Sequence, residues 1–128
     1  MPQRLLIVDD SSTMRLFLRK VLKLTGLELE RVDEAADGAA ALACLRSAPY
    51  DLVLADLNMP GMDGRALVKA VAADPDLKHV PVVVVSSEGD QKVLESLIAN
   101  GAREVLRKPC EPVLLRKVIL QAVGASQA

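Results

Sequence analysis

The sequence predicts an α/β fold, a doubly wound parallel sheet of five strands flanked by five helices, and three observations carry that prediction. Short runs rich in β-branched residues or leucine alternate with segments whose apolar residues recur near every 3.6 positions. Three of the runs, Leu5-Leu6-Ile7-Val8, Leu52-Val53-Leu54-Ala55 and Val82-Val83-Val84-Val85, lack polar alternation, as strands covered on both faces do. The connections are short, which suits alternating crossover units rather than segregated strands and helices.

The strands are predicted at Arg4–Val8, Leu29–Ala35, Leu52–Ala55, Val80–Val85 and Arg103–Leu106. The first helix starts at Ser11/Ser12, carries Met14, Phe17, Leu18, Val21 and Leu22, and stops at Gly26. The second holds Ala41, Leu42 and Leu45 and ends before Pro49. The third follows Asp63-Gly64 with Leu67, Val68 and Val71 and halts at Asp74-Pro75. The fourth carries Val93, Leu94, Leu97 and Ile98 before Asn100-Gly101. The fifth opens on Glu111-Pro112, where proline suits a first helical turn, continues through Leu115, Val118, Ile119 and Ala122, and is expected to fray from Gly124 to Ala128.

A chain of 128 residues can bury one core without disulfides or a structural metal, so residues 1–128 are expected to form a single domain with no output domain. Lys and Arg total 16 and Asp and Glu 17, with no basic stripe, which argues against nucleic acid or an anionic membrane surface as partner. The Met1-Pro2-Gln3-Arg4 start is unlike a signal peptide and no apolar stretch could span a bilayer, so a cytoplasmic protein is expected. Cys44 and Cys110 stand far apart and outside any metal-ligand spacing, and are read as ordinary thiols. The lone histidine, His79, is read as a solvated loop residue.

In doubly wound sheets, sites form beyond the carboxyl ends of the strands. Asp9 and Asp10 follow the first strand, Asp56 ends the third, Ser86 and Ser87 follow the fourth, and Lys108-Pro109 follows the fifth. Singly, each has a structural reading: Asp9 and Asp10 as helix caps, Asp56 as a turn residue before Met59-Pro60-Gly61, Lys108 as a loop cation. Together, three acids, a hydroxyl and a lysine on one rim point to chemistry. Crowded carboxylates call for a hard divalent cation, and magnesium, which needs only one or two carboxylates and shares its other positions with phosphate oxygens, fits best. An Asp carboxylate can attack phosphorus when a metal and a fixed cation offset the charge on the phosphoryl oxygens. Asp56 is the central acid and so the candidate nucleophile, Lys108 the fixed cation and Ser86 the hydroxyl donor.

The segments Leu6–Arg15, Asp51–Gly64, Val84–Glu88 and Gly101-Ala102 with Lys108-Pro109 resemble, in order and over nearly the whole chain, the receiver domain of two-component response regulators. Ser12-Thr13-Met14-Arg15 and Asn58-Met59-Pro60 are similar to stand-alone chemotaxis regulators of the CheY kind. The resemblance implies a flavodoxin-like sheet in the order 2-1-3-4-5, with Asp56 as phosphoacceptor. It implies that Asp10 ligates Mg2+ directly, Asp9 holds it through water, and Asn58 adds its backbone carbonyl. Lys108 would pair with the phosphoryl group, its bond to Pro109 would be cis, and Ser86 would be the switch hydroxyl. Asn58 and Glu88 match positions that tune access of water to the acyl phosphate, in a pairing that implies a transient phosphorylated form. The implied partners are a histidine kinase or phosphotransfer domain and a downstream protein bound through the helix 4/strand 5/helix 5 face.

One position departs from the family: Val105 stands where an aromatic residue usually completes the switch, so no rotating ring can relay phosphorylation to that face. Two other readings compete. An aspartate-nucleophile phosphatase of the haloacid-dehalogenase type would use the same sheet, metal, Asp and Lys. It wants a second acid two residues after the nucleophile, where this chain has Asn58, and a cap region for which there is no spare length. A non-phosphorylated receiver-like scaffold would have no need of the intact set Asp9, Asp10, Asp56, Ser86 and Lys108.

Overall fold

The computed structural model describes residues 3–59 and 61–127; Met1, Pro2, Pro60 and Ala128, which figure in the readings above, lie outside the described residues. The chain runs β1 (Gln3–Val8), α1 (Ser12–Leu24), β2 (Leu29–Ala35), α2 (Gly38–Ser47), β3 (Leu52–Asp56), α3 (Gly64–Ala73), β4 (Val82–Ser86), α4 (Gln91–Ala99), β5 (Glu104–Arg107) and α5 (Pro112–Gln127). All strand pairs are parallel, in the order β2-β1-β3-β4-β5. Alternation and helix spacing thus locate all ten elements, with ends shifted by a residue or two.

The shifts have local causes. Val80 is expected in the fourth strand, but its N–H closes a turn on the Leu77 carbonyl, and Pro81 has no N–H to offer a ladder, so β4 begins at Val82. At the carboxyl end, α5 continues past the predicted fraying point to Gln127, through alanine, serine and glutamine that hold helical geometry well enough. Four helices start on side-chain caps: Ser11, Asp37, Asp63 and Asp90 each accept a backbone N–H of the first turn.

The pleat divides the apolar residues into two cores. Leu5, Ile7, Leu52, Leu54, Val83, Val85 and Leu106 pack against α1 and α5 through Leu18, Val21, Leu22, Leu115 and Ile119. Leu6, Val8, Val53, Ala55, Val82 and Val84 pack on the other side against α2, α3 and α4 through Leu42, Leu45, Leu67, Val71 and Leu97. A one-residue slip would exchange the two sets and turn every strand-end side chain to the wrong face, so burial on both sides fixes the register.

Candidate functional site

That register positions the acids. Ile7 pairs with Leu54 and Val8 with Ala55, so one further step brings Asp9 abreast of Asp56. Asp56 pairs with Val85 and Val85 with Leu106, so Asp9, Asp56 and Lys108 extend the rows of Ile7, Leu54 and Leu106 on the α1/α5 side. Ser86 extends the Val82/Val84 row toward the other face, and the Lys108 N–H donates to its carbonyl at 2.9 Å.

Carboxylate oxygens of Asp9, Asp10 and Asp56 lie within 4.8 Å of one another. Asp9 and Asp56 are buried and Asp10 is exposed, so the cluster opens to solvent on one side. Lys108 Nζ reaches Asp56 Oδ1 at 3.2 Å and is the one cation paired to the cluster among the described residues. Asp9 Oδ1 accepts the Ser11 N–H at 2.9 Å, while the Asp9 N–H donates to the Ala35 carbonyl at 3.1 Å. Burial pushes the Asp9 carboxyl above its ordinary value; the Ser11 N–H opposes that shift and the nearby Asp56 adds to it. Two buried acids and a third at the rim, with one ammonium among them, form a donor set of hard oxygens short of positive charge. That composition fits a divalent ion such as magnesium, with the exposed Asp10 side open to solvent.

The flanking residues are placed as follows. The Ser86 hydroxyl is buried and accepts the Glu88 N–H at 2.9 Å, which leaves its own O–H to donate. Glu88 turns its carboxylate onto the Asp90 N–H at 2.8 Å and so ties the loop between β4 and α4 to itself. Asn58 is exposed beyond β3. The Lys108–Pro109 peptide is cis. Val105 is half-buried on β5, beside a groove bordered by Leu94 and Ile98. His79 is exposed and both cysteines are free, with Cys110 buried and its thiol raised by that burial.

Two residues that position the site escape the sequence reading. Gly64 brings α3 against the end of β3: its N–H donates to the Leu57 carbonyl at 2.9 Å, and a Cβ there would stand 2.4 Å from the Asp56 carbonyl oxygen. The Asp63-Gly64 pair signals only a helix start in the sequence. Arg15, read only as part of a motif, donates to the Asp9 carbonyl at 2.6 Å.

Residues 5–120 match the response regulator receiver domain family. The chain belongs to that family. It is 38% identical over 116 residues to the chemotaxis protein CheY of Pseudomonas aeruginosa, covering 91% of this chain and 92% of that one. It is 39% identical over 106 residues to the sensor histidine kinase TmoS of Ectopseudomonas mendocina, covering 83% of this chain but 10% of that protein. Chemotaxis protein CheY4 of Vibrio cholerae superposes with a TM-score of 0.83 at 34% identity, covering 95% of this chain and 99% of that one. The chain is thus a CheY-like receiver domain of two-component signalling, a switch family rather than a family of turnover enzymes. No helix among the described residues is long and apolar enough to cross a membrane.

Proposed function

We propose that this receiver is a phosphorylation-dependent switch in which Asp56 accepts a phosphoryl group from a histidine kinase or a histidine phosphotransfer domain. The observation that carries the reading is the pairing of a buried, central carboxylate with Lys108 inside a cluster of three acids. A carboxylate oxygen of Asp56 forms the bond to phosphorus as the phosphorus–nitrogen bond to the donor's imidazole breaks; the imidazole leaves with the electron pair and takes a proton from solvent. Asp9, Asp10, Asp56 and the Asn58 carbonyl would hold Mg2+, which when bound neutralises charge gathering on the phosphoryl oxygens. Lys108 keeps a fixed positive charge at the same oxygens. Ser86 offers its hydroxyl proton to the phosphoryl group and draws the loop from Ser87 to Asp90 with it.

The only reactions the chain catalyses are its own phosphorylation and dephosphorylation. Output passes to a downstream protein through the face of α4, β5 and α5; with Val105 in place of a ring, the Ser86 loop carries that relay. Residues 1–128 act as one receiver unit in the cytoplasm, without nucleic acid or membrane as partner. Asn58 and Glu88 leave the acyl phosphate open to water, so the phosphorylated form is short-lived.

Incubation with acetyl phosphate and magnesium, followed by intact mass, tests the reading. One added phosphoryl group is expected on the parent and none on Asp56→Asn; an unmodified parent rejects the proposal. A phosphoaspartate that persists for many hours in native buffer with magnesium rejects the lifetime assignment alone.

A further inference from the structure

Asp10 leaves β1 toward solvent, in a cluster whose other members repel it, so its direction has to be fixed through the backbone. The peptide unit joining Asp9 to Asp10 shows how. The Arg15 guanidinium donates through Nη1 to the Asp9 carbonyl oxygen, at 2.6 Å, and through Nε to Glu34 Oε1, at 2.8 Å. The Asp9 N–H is already held by the Ala35 carbonyl of β2, so the residue is gripped on both sides of its Cα. Glu34 is itself fixed: it sits on β2 opposite Ile7, and its second oxygen is bonded to Arg19 Nε.

We infer that Arg15 is a positioning residue, a clamp on the Asp9–Asp10 peptide that aims the Asp10 carboxylate at the cation site. The inference rests on the magnesium reading above. Two features suit the clamp to that task. Its fork makes two bonds in fixed geometry, which a single ammonium could not do, so the peptide plane is tied to a β2 carboxylate that Arg19 also holds. Its two bonds go to a backbone carbonyl and to Glu34, so the guanidinium serves as a hydrogen-bond donor and occupies none of the carboxylates of the cluster.

Arg19 supplies an internal control. It also bonds Glu34 and a backbone carbonyl, that of Val32 at 2.7 Å, but it touches neither Asp9 nor Asp10. Loss of either arginine removes a comparable pair of bonds, whereas loss of Arg15 alone releases the peptide before Asp10. Groups that orient metal ligands change metal affinity by roughly 10–100-fold when removed. The low end, roughly tenfold, is expected for an ion that retains several waters.

The test is magnesium affinity by titration calorimetry on the parent, Arg15→Ala and Arg19→Ala, with urea unfolding of each in magnesium-free buffer. R15A should weaken magnesium binding by roughly tenfold and R19A should leave it unchanged, although the two unfold at similarly lowered urea concentrations. The Asp10 amide resonance should shift in R15A and not in R19A. Equal affinity in R15A and the parent, or an equal loss in R19A, overturns the clamp while leaving the cation site in place. A parent that binds no magnesium overturns the cation site, and the clamp's purpose falls with it. If R15A does not fold, Arg15→Lys keeps the charge and stem but lacks the fork, and must show a smaller loss in the same direction; unchanged affinity there overturns the clamp.

Discussion

The two ends of the sheet treat their acids in opposite ways. Near the amino ends of the strands, several carboxylates have partners of their own. Asp51 accepts the Arg4 N–H at 2.8 Å, Glu30 faces the Arg4 guanidinium, and Asp74 faces Arg46 at 3.6 Å. Asp33, on the flank of β2, takes the Tyr50 hydroxyl. A cleft of about 600 Å³ between Arg46, Tyr50, Asp74 and His79 is also at that end, and it gathers no group of three ligating side chains among the described residues. At the carboxyl ends, three acids share one lysine. Paired charges serve the fold; an uncompensated cluster works against it and is a place where a metal ion could bind.

That contrast can be pressed hardest with the ion itself. Magnesium at about a hundred times its Kd should stabilise the parent by about 2.7 kcal/mol against urea. Asp10→Asn should lose most of that gain, whereas Asp51→Ala should keep it. A smaller effect comes from steric closeness behind the cluster. Gly64→Ala drives a Cβ into the Asp56 carbonyl and should cost about 2 kcal/mol, read from the urea midpoint. Gly89→Ala meets only the end of Arg107, at 3.5 Å, and should be nearly neutral.

Next, the two ends should respond with opposite sign to loss of an acid. Asp51→Ala strands the Arg4 N–H and should destabilise by about 1.5 kcal/mol. Asp9→Asn, in magnesium-free buffer, should instead raise the unfolding midpoint, because the fold favours the uncharged form of that carboxyl. The smallest effect belongs to Tyr50→Phe, about 1 kcal/mol at neutral pH. The Tyr50 hydrogen bond holds Asp33 below its ordinary 3.8, so that contribution is complete above 3.8 and fades as pH falls through the lowered value. Burial, with the bond to Asp33, pushes the phenol from 10.0 up to about 12, so its contribution is complete below 10.0 and fades as pH rises toward about 12. The difference between parent and Y50F should therefore stay flat across the range between, and shrink on acidification.

Much of this was legible in the residues because the relevant signals are short-range. Unbroken runs such as Val82–Val85 announce a strand buried on both faces, and two-residue periodicity carries Ile7 to Asp9 and Leu54 to Asp56 on one side. The charge deficit of the carboxyl rim could be counted directly from Asp9, Asp10, Asp56 and Lys108. What stayed hidden depends on contacts that spacing does not encode. Val80 belongs by composition to a strand, yet its N–H closes a turn. Asp33 and Tyr50 meet across α2, with nothing in either neighbourhood to pair them. Arg15 enters the sequence reading only through its motif, because its partner beside Asp10 is a carbonyl and carbonyls have no residue letter. The need for glycine at 64 appears only when α3 and β3 are brought together.

The abutment of Gly64 on Asp56 has a mechanical corollary. With a helix wedged behind its carbonyl, the end of β3 is an anvil: a load on the Asp56 side chain cannot be relieved by recoil of its own backbone. The compliant side is across β4, where Gly89 stands clear of any backbone and the linkage from Ser86 to Glu88 to Asp90 is a chain of single hydrogen bonds. A displacement that started at the third strand would meet less backbone resistance toward the fourth helix than behind β3.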